Sequence, residues 1–404
     1  MSGNTHIFTL SNGLRGVIRS CSSPVEYCGI AVNVGSRDES PSLHGLAHFV
    51  EHTIFKGTPR RRSHHIINRM ESIGGELNAY TTKEETVVYS IFPAGHLRRA
   101  VDLISDLVIN SEFPLREINK EREVVCDEID SYLDQPSEAV YDDFEDLIFR
   151  NSSLGHNILG SRESVERITT EDCRRYLSDN YTSSRSVFFY MGPCAPDKVE
   201  RIAASCLAVL PPGTQPERTV PPVAEPFAHS RHIGSHQAHT VLGARIPDMY
   251  SPKRHAMSLL SNILGGPGMN SLLNVELREK RGLVYSVETT PMMLTDCGLF
   301  TVYFGCDPTD TSRCRRLVEN VIGRMADTPM SQRRLDAARR QLLGQMAVSS
   351  ENHEQLAINT GRALLYRGGV ATPQEIVEAY NAVTPSDLMD AAAHLTRLSQ
   401  LTLA

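Results

Sequence analysis

Residues 210–228 read LPPGTQPERTVPPVAEPFA, and prolines 211, 212, 216, 221, 222 and 226 prevent both a helix and a central strand over that span. The stretch reads as a linker. It cuts the 404-residue chain into halves of about 200 residues, the usual size of one domain. The expected organisation is an N-terminal domain over 1–210, a Pro-rich linker over 211–228 and a C-terminal domain over 229–404.

Outward from the linker, the two halves share a layout. The first opens with strand-like LRGVIRS (14–20) and CGIAVNVGS (28–36), passes through a helical stretch from Leu43 to Lys56, returns to strand-like TVVYSIF (86–92) and then turns mainly helical. The second opens with strand-like TVLGARI (240–246), continues with a helix from Lys253 to Leu264 and returns to LFTVYFGC (299–306) before long helical patterns. Strand groups that enclose helices, rather than strict strand–helix alternation, predict an α+β class: two similar sheet-and-helix sandwich domains.

Composition narrows the function classes. The chain carries 41 Lys+Arg against 48 Asp+Glu, a net charge of −7, with 40% hydrophobic and 22% charged residues. That is the profile of an ordinary globular protein, and its mild acidity argues against nucleic acid as a main partner. Nine cysteines without any C-x-x-C encode neither a disulfide framework nor a Cys-based zinc knuckle, so a reducing compartment is expected. No stretch is apolar enough to span a bilayer, and the amino terminus lacks a signal-peptide core. The expected location is the cytoplasm, with loss of a presequence as the alternative.

The segment that carries chemistry is PSLHGLAHFVEHTIFKG (41–57). Leu43, Leu46, Ala47, Val50 and Ile54 recur at helical spacing, Ser40 and Pro41 make a helix start, and Gly57 makes a stop. His48 and His52 then share one helix face, where residues four apart can converge on one ion, and Glu51 can reach a water there. H-x-x-E-H is the inverted zincin pattern. A zinc hydrolase needs a third protein ligand and leaves the fourth position for water. The helical pattern over 115–132 supplies two candidates, because Glu121 and Glu128 lie two turns apart beside an apolar stripe of Ile118, Val125, Ile129 and Tyr132. One can ligate and the other orient a ligand; periodicity does not choose between them. Glu117, Glu123, Asp127 and Asp130 read as a solvated helix face. Two neutral imidazoles and one carboxylate leave the ion enough positive charge to acidify a water towards pKa ~7.

These residues sit within a longer resemblance. GLAHFVEHTIFKGTPRRRS (45–63), MESIGGELNAYTTKEETVVYSIF (70–92) and EREVVCDEID (121–130) resemble the pitrilysin, insulin-degrading enzyme and mitochondrial processing peptidase family of inverted-motif zinc peptidases. In the second half LGGPGMNSLLNVELREKRGLVYSV (264–287) is similar to that family's glycine-containing segment and the arginine–tyrosine motif after it. The resemblance implies one Zn2+ per chain on His48, His52 and Glu128, Glu51 as general base, and Glu121 behind the ligands. It further implies an edge strand through Asn78, Ala79 and Tyr80 that aligns the substrate backbone, and Arg278 and Tyr285 against the substrate carbonyl. Pro267, which interrupts the glycine run, and Cys126, at a position usually aliphatic, are small departures from the family pattern.

The expected activity is hydrolysis of internal bonds in short or unfolded peptides. Two domains make only half of the enclosure that long single-chain relatives build, so a homodimer is implied, with a heterodimer of related subunits as the alternative. The rival function is a noncatalytic or partner-dependent subunit. Elsewhere, Arg60–Arg62 with His64 and His65 read as solvated charge on a loop. His229, His232, His236 and His239 read as a polar strand start rather than a second metal site, and the 265–268 glycine segment lacks the Lys-Ser/Thr of a phosphate loop.

Overall fold

The structure is a computed structural model and describes residues 5–404. Its contacts divide into two compact units, each discontinuous in sequence. The first comprises residues up to Asp130, His156–Arg218 and Ser350–Thr372; the second comprises Ser131–Gly155, Thr219–Ser349 and Pro373–Ala404.

In the first unit six strands form one sheet: β1 (Thr5–Thr9), β2 (Arg15–Ser20), β3 (Val25–Val32), β6 (Glu76–Thr81), β7 (Thr86–Pro93) and β8 (Ser186–Gly192), in the order β1-β2-β8-β3-β7-β6. A small ribbon of β4 (Gly57–Thr58) and β5 (Arg61–Arg62) lies apart. The unit's helices are α1 (Leu46–Thr53), α2 (Ser63–Glu71), α3 (Leu97–Asn110), most of α4 (Leu115–Leu133), α6 (Arg162–Arg167), α7 (Thr170–Asn180), α8 (Pro196–Leu207) and α12 (His353–Arg367). The two-residue period of the strands sorts side chains between two cores. Cys28, Ile30 and Val32 of β3 and Phe188 and Tyr190 of β8 join the helical layer that includes Phe49, Leu103 and Leu177. The alternating Ala31, Val187, Phe189 and Met191 meet Ala357, Ile358, Leu364 and Leu365 of α12. Helix and sheet approach closely because position 361 is glycine: a Cβ there would lie 2.6 Å from the Phe189 ring.

The second unit repeats the scheme. Strands β9 (Ala228–Arg231), β10 (Ala238–Ile246), β11 (Val284–Met293), β12 (Gly298–Cys306) and β13 (Ser399–Leu403) form a sheet in the order β11-β12-β10-β13-β9. Leu242, Ala244, Phe300, Val302 and Phe304 share a core with residues of α9 (Arg254–Gly265), α10 (Thr311–Asp327) and α14 (Pro385–Ala393). α11 (Gln332–Ser349) and α13 (Pro373–Asn381) complete this layer. On the other face Val241, Leu299 and Leu401 meet Val140, Phe144 and Ile148 of α5 (Pro136–Ile148), and Gly243 leaves the space that the Phe144 ring needs.

Each sheet is thus covered on its second face by a helix from the far side of the proline-rich stretch, so a single cut there does not separate the units. Residues 211–227 take neither helix nor strand, and Arg218 is held in the first unit by Asp38 at 2.7 Å. The expected strands and the helices over 115–132 and 253–264 are present with ends shifted by a few residues.

Three local readings change. The helix expected from Leu43 to Lys56 is only α1: its first residue is Leu46, and Gly45 at φ 92° precedes it in place of Ser40–Pro41. His64 and His65 lie in the exposed first turn of α2, not on a loop. Arg61 is not solvated charge, because its guanidinium pairs with Asp102 and the buried Asp106.

Candidate metal centre

Helix α1 is short and almost entirely enclosed, with Leu46, Ala47, Phe49, Val50 and Thr53 buried. His48, 7% exposed, is buried among them, and His52 follows one turn later with its ring centroid 4.5 Å from that of His48. Helix α4 supplies the third group. Glu128 places Oε2 3.3 Å from His52 Nε2 and Oε1 3.8 Å from His48 Nε2, and one ligand atom from each of the three residues lies within 4.8 Å of the others. Those distances match an ion better than direct hydrogen bonds, since donors and acceptors at about 2.1 Å from a tetrahedral centre stand about 3.4 Å apart.

The donor chemistry fits zinc too. Burial, with the neighbouring His52, pushes the His48 imidazole down to about 3, so it stays neutral and able to ligate. Burial acts the same way on His52, but the hydrogen bond with Glu121 and the charges of Glu128 and Glu51 outweigh it and raise its pKa. Glu121 does not compete for the ion. Its Oε1 lies 3.1 Å from His52 Nδ1 and its Oε2 2.7 Å from Lys56 Nζ, which leaves His52 Nε2 pointing at the ligand cluster. Burial pushes the Glu121 carboxyl up, and the hydrogen bonds with His52 and Lys56 more than offset that, so it remains ionised. Geometry therefore makes the choice that helical spacing left open: Glu128 faces both imidazoles and Glu121 lies behind His52.

Glu51 occupies the same helix. Burial raises its carboxyl above the usual range, while hydrogen bonds from the hydroxyl and backbone N–H of Thr81 pull the other way. Thr81 is the last residue of β6, which among the described residues pairs with β7 alone and forms the edge of the sheet. Along β6, Ala79 packs towards the core that holds α1, whereas Tyr80 packs on the α12 face and donates to Glu85 Oε1 at 3.2 Å. Asn78 hydrogen-bonds Tyr89 on that same face.

His48, His52, Glu128, Glu51 and Glu121 are therefore brought together, with the edge strand tied to Glu51. Arg278 and Tyr285 belong to the second unit. Arg278 lies in the π-helical segment Asn274–Glu279, and Tyr285 is 84% exposed at the start of β11, beside an irregularity between Val284 and Val287. Of the four histidines near the end of the linker, His229 and His239 lie on β9 and β10, whereas His232 and His236 lie between these strands and not at a strand start. Sequence reading missed Lys56 and Thr81. Lys56 is four residues after His52, a helical spacing that could have revealed it; Thr81 gave no signal, because its partner is thirty residues away.

Comparison with known proteins agrees with this centre. Residues 17–162 match the model of Insulinase (Peptidase family M16), and residues 167–342 match that of the Peptidase M16 inactive domain. An uncharacterised zinc protease of Streptomyces coelicolor is 32% identical over 397 residues, which cover 96% of this chain and 86% of that protein. One from Bacillus subtilis is 28% identical over 381 residues, covering 93% and 92%. Among solved structures, a peptidase M16 inactive domain from Pseudomonas fluorescens superposes with a TM-score of 0.92 at 19% identity over 99% of this chain and 97% of the other. A protease from Helicobacter pylori does so at 0.90 and 20% identity over the full length of both. At such identities the superpositions speak for the fold alone. The family matches across both halves, the relatives aligned over nearly the whole chain and the intact ligand set lead to one conclusion: the chain belongs to the M16 family of zinc peptidases.

Proposed function

We propose that this zinc peptidase cleaves internal bonds of short or unfolded peptides bound along β6, with Glu51 as the general base. The observation that carries the reading is the convergence of His48, His52 and Glu128 within 4.8 Å, on the helix that also carries Glu51. Zn2+ held by these three residues supplies positive charge that polarises a carbonyl and acidifies a water. Glu51 takes the attacking water's proton on its carboxylate and returns it to the leaving amine; burial raises its pKa and so makes it a stronger base for that exchange. Glu121, anchored by Lys56, holds the His52 ring in its tautomer.

An extended peptide adding to the free edge of β6 gains main-chain hydrogen bonds that carry little sequence information, with Asn78, Ala79 and Tyr80 setting its register. Arg278 and Tyr285 are assigned to the carbonyl oxygen, whose developing negative charge they would stabilise. The exposure of Tyr285 supports contact with a second molecule. We assign the functional form to a symmetric homodimer in which each chain supplies these two residues to its partner's zinc. Nine cysteines without a disulfide among the described residues suit a reducing compartment such as the cytoplasm, and no described helix is long and apolar enough to cross a membrane.

The test is a purified preparation assayed for zinc and for cleavage of internally quenched peptides, with products read by mass spectrometry. One zinc per chain and internal cuts abolished by chelator are expected. A metal-loaded preparation that cleaves only after a related second chain is added would replace the homodimer with a heterodimer. Mixing Glu51→Gln chains with Tyr285→Phe chains should restore activity above either alone, and absence of rescue removes the exchange between partners.

A further inference from the structure

The reading of α1 as carrier of two zinc ligands and of Glu51 leaves one carboxylate behind that helix without a role. The Glu39 side chain is 0% exposed. Its surroundings explain why it is there. Gly45 precedes α1 and has no side chain with which to cap it; a Cβ at that position, besides the strain of φ 92°, would lie 2.5 Å from the carbonyl oxygen of Leu159. The residues that ordinarily cap a helix are thus shut out. Glu39, six residues upstream, supplies the missing acceptors: Oε2 receives the N–H of Gly45 at 2.9 Å and Oε1 receives the N–H of Ala47 at 2.6 Å.

The carboxylate is itself held from behind. His156 Nε2 lies 3.0 Å from Glu39 Oε2, the His156 ring stacks on His44 with centroids 3.7 Å apart, and the His156 carbonyl accepts from Lys83 Nζ at 2.6 Å. Lys83 lies in the turn between β6 and β7, so the loop before α1, the segment near residue 156 and the hairpin that carries the edge strand meet around one group.

We propose that Glu39 is a positioning residue for the peptidase reaction: by gripping the first turn of α1 it fixes the direction in which His48, Glu51 and His52 project. It touches neither metal nor substrate. Ala47 is the immediate neighbour of His48, and α1 has only eight residues, so a shift at its start passes to the ligands instead of being absorbed along the helix. Displacements of about 1 Å at reacting groups cost on the order of 100-fold in rate.

The proposal rests on the zinc-peptidase reading, and Glu51→Gln tests that reading separately. Glu39→Ala removes both acceptors. Glu39→Gln keeps the volume but turns an amide NH2 towards one of the two N–H donors. The expected result for Glu39→Ala is a kcat lowered about 10–100-fold with KM unchanged, and zinc affinity in chelator competition weakened about tenfold or more. The visible bands of its cobalt(II)-substituted form should also shift, with Glu39→Gln intermediate in all three readouts. Glu51→Gln should abolish turnover and leave the cobalt spectrum as in the wild type. Wild-type kcat, zinc affinity and cobalt spectrum in Glu39→Ala, beside an inactive Glu51→Gln, would overturn the positioning role. An active Glu51→Gln would instead overturn the reading beneath it. If Glu39→Ala does not fold, Glu39→Gln and His156→Gln decide: a lowered melting temperature with an unaltered cobalt spectrum and kcat overturns the proposal.

Discussion

The two units are built alike and filled differently. Each is a sheet with a helical layer on one face and a single helix from the other side of the linker on the second face. Yet among the described residues the buried acids, bases and histidine, Glu26, Arg37, Glu39, His48, Lys83, Glu84, Glu85, Asp106 and Glu121, all lie in the first unit, whereas the second buries the serine and threonine hydroxyls of Thr240, Ser261, Ser271, Thr301, Ser399 and Thr402 and no such charged group. The first helix after the long central strand shows the contrast at its sharpest. α9 buries Ala256, Met257, Leu259, Leu260 and Leu264; α1 buries His48 among Leu46, Ala47, Phe49 and Val50. The architecture therefore closes without buried charge. Removing ionisable groups from water is costly unless they are paired, and in the first unit they are: Glu121 pairs with His52 beside the ligand set, and Arg37 pairs with Glu84 outside it.

The largest effect that could break this comparison is on α1 itself. Glu51→Gln should lower turnover on the order of 10²–10⁴-fold, the usual contribution of a general base, while zinc content by atomic absorption stays at one per chain. His48→Ala should lose both metal and activity. His255→Ala, on the counterpart helix α9, should change neither. Zinc loss in the α9 variant would mean that the second unit shares the site.

Stability should separate the units next. Phe144→Ala empties the contact between α5 and the second sheet and is expected to cost about 3–5 kcal/mol, read by denaturant unfolding, with hydrogen exchange accelerating in strands β10 and β12. Arg37→Met leaves the Glu84 carboxylate, its partner in a pair with side chains 0% and 3% exposed, enclosed without its nearest cation. That should cost about 3 kcal/mol and open the first unit only. Equal acceleration of exchange in both units by either substitution would show that they unfold as one.

These contrasts also explain what the sequence could disclose. Helical spacing placed His48 and His52 on one face with Glu51 beside them, and the two-turn separation of Glu121 and Glu128 marked α4, because such patterns depend on local geometry alone. The choice between the two glutamates needed the distance between helices. The exchange of α5 and α12 was illegible for a related reason. An amphipathic helix encodes that it will bury a face, not which sheet it will cover, and here the sheet lies beyond a proline-rich stretch that reads as a boundary. The true start of α1 was hidden as well, since Ser40–Pro41 is a good local start signal, but the cap comes from Glu39 across a loop. Arg61 looked like solvated charge within a basic run because its partners, Asp102 and Asp106, lie 41 and 45 residues away on α3.

The smallest expected effect concerns pH and sharpens the contrast most finely. Burial raises the Glu51 carboxyl, and Thr81 opposes that by donating to the ionised form. The base is competent only when ionised, so kcat/KM should fall on the acid side as pH drops through this raised value, above the ordinary carboxylate range. Thr81→Val removes the hydroxyl donor and leaves the backbone N–H in place. The Glu51 pKa should therefore rise further and the acid limb should move to higher pH, with little change in the rate above it. Linkage runs in the opposite sense in the zinc-free protein. A carboxyl whose folded pKa lies above its unfolded value contributes stability that is present below the unfolded pKa and is lost as pH rises through the folded one. By raising the folded pKa further, Thr81→Val should extend that window to higher pH and enlarge the stability lost across it. An acid limb that stays in place, or moves to lower pH, would detach Thr81 from Glu51 and leave the edge strand as a binding surface without a hold on the base.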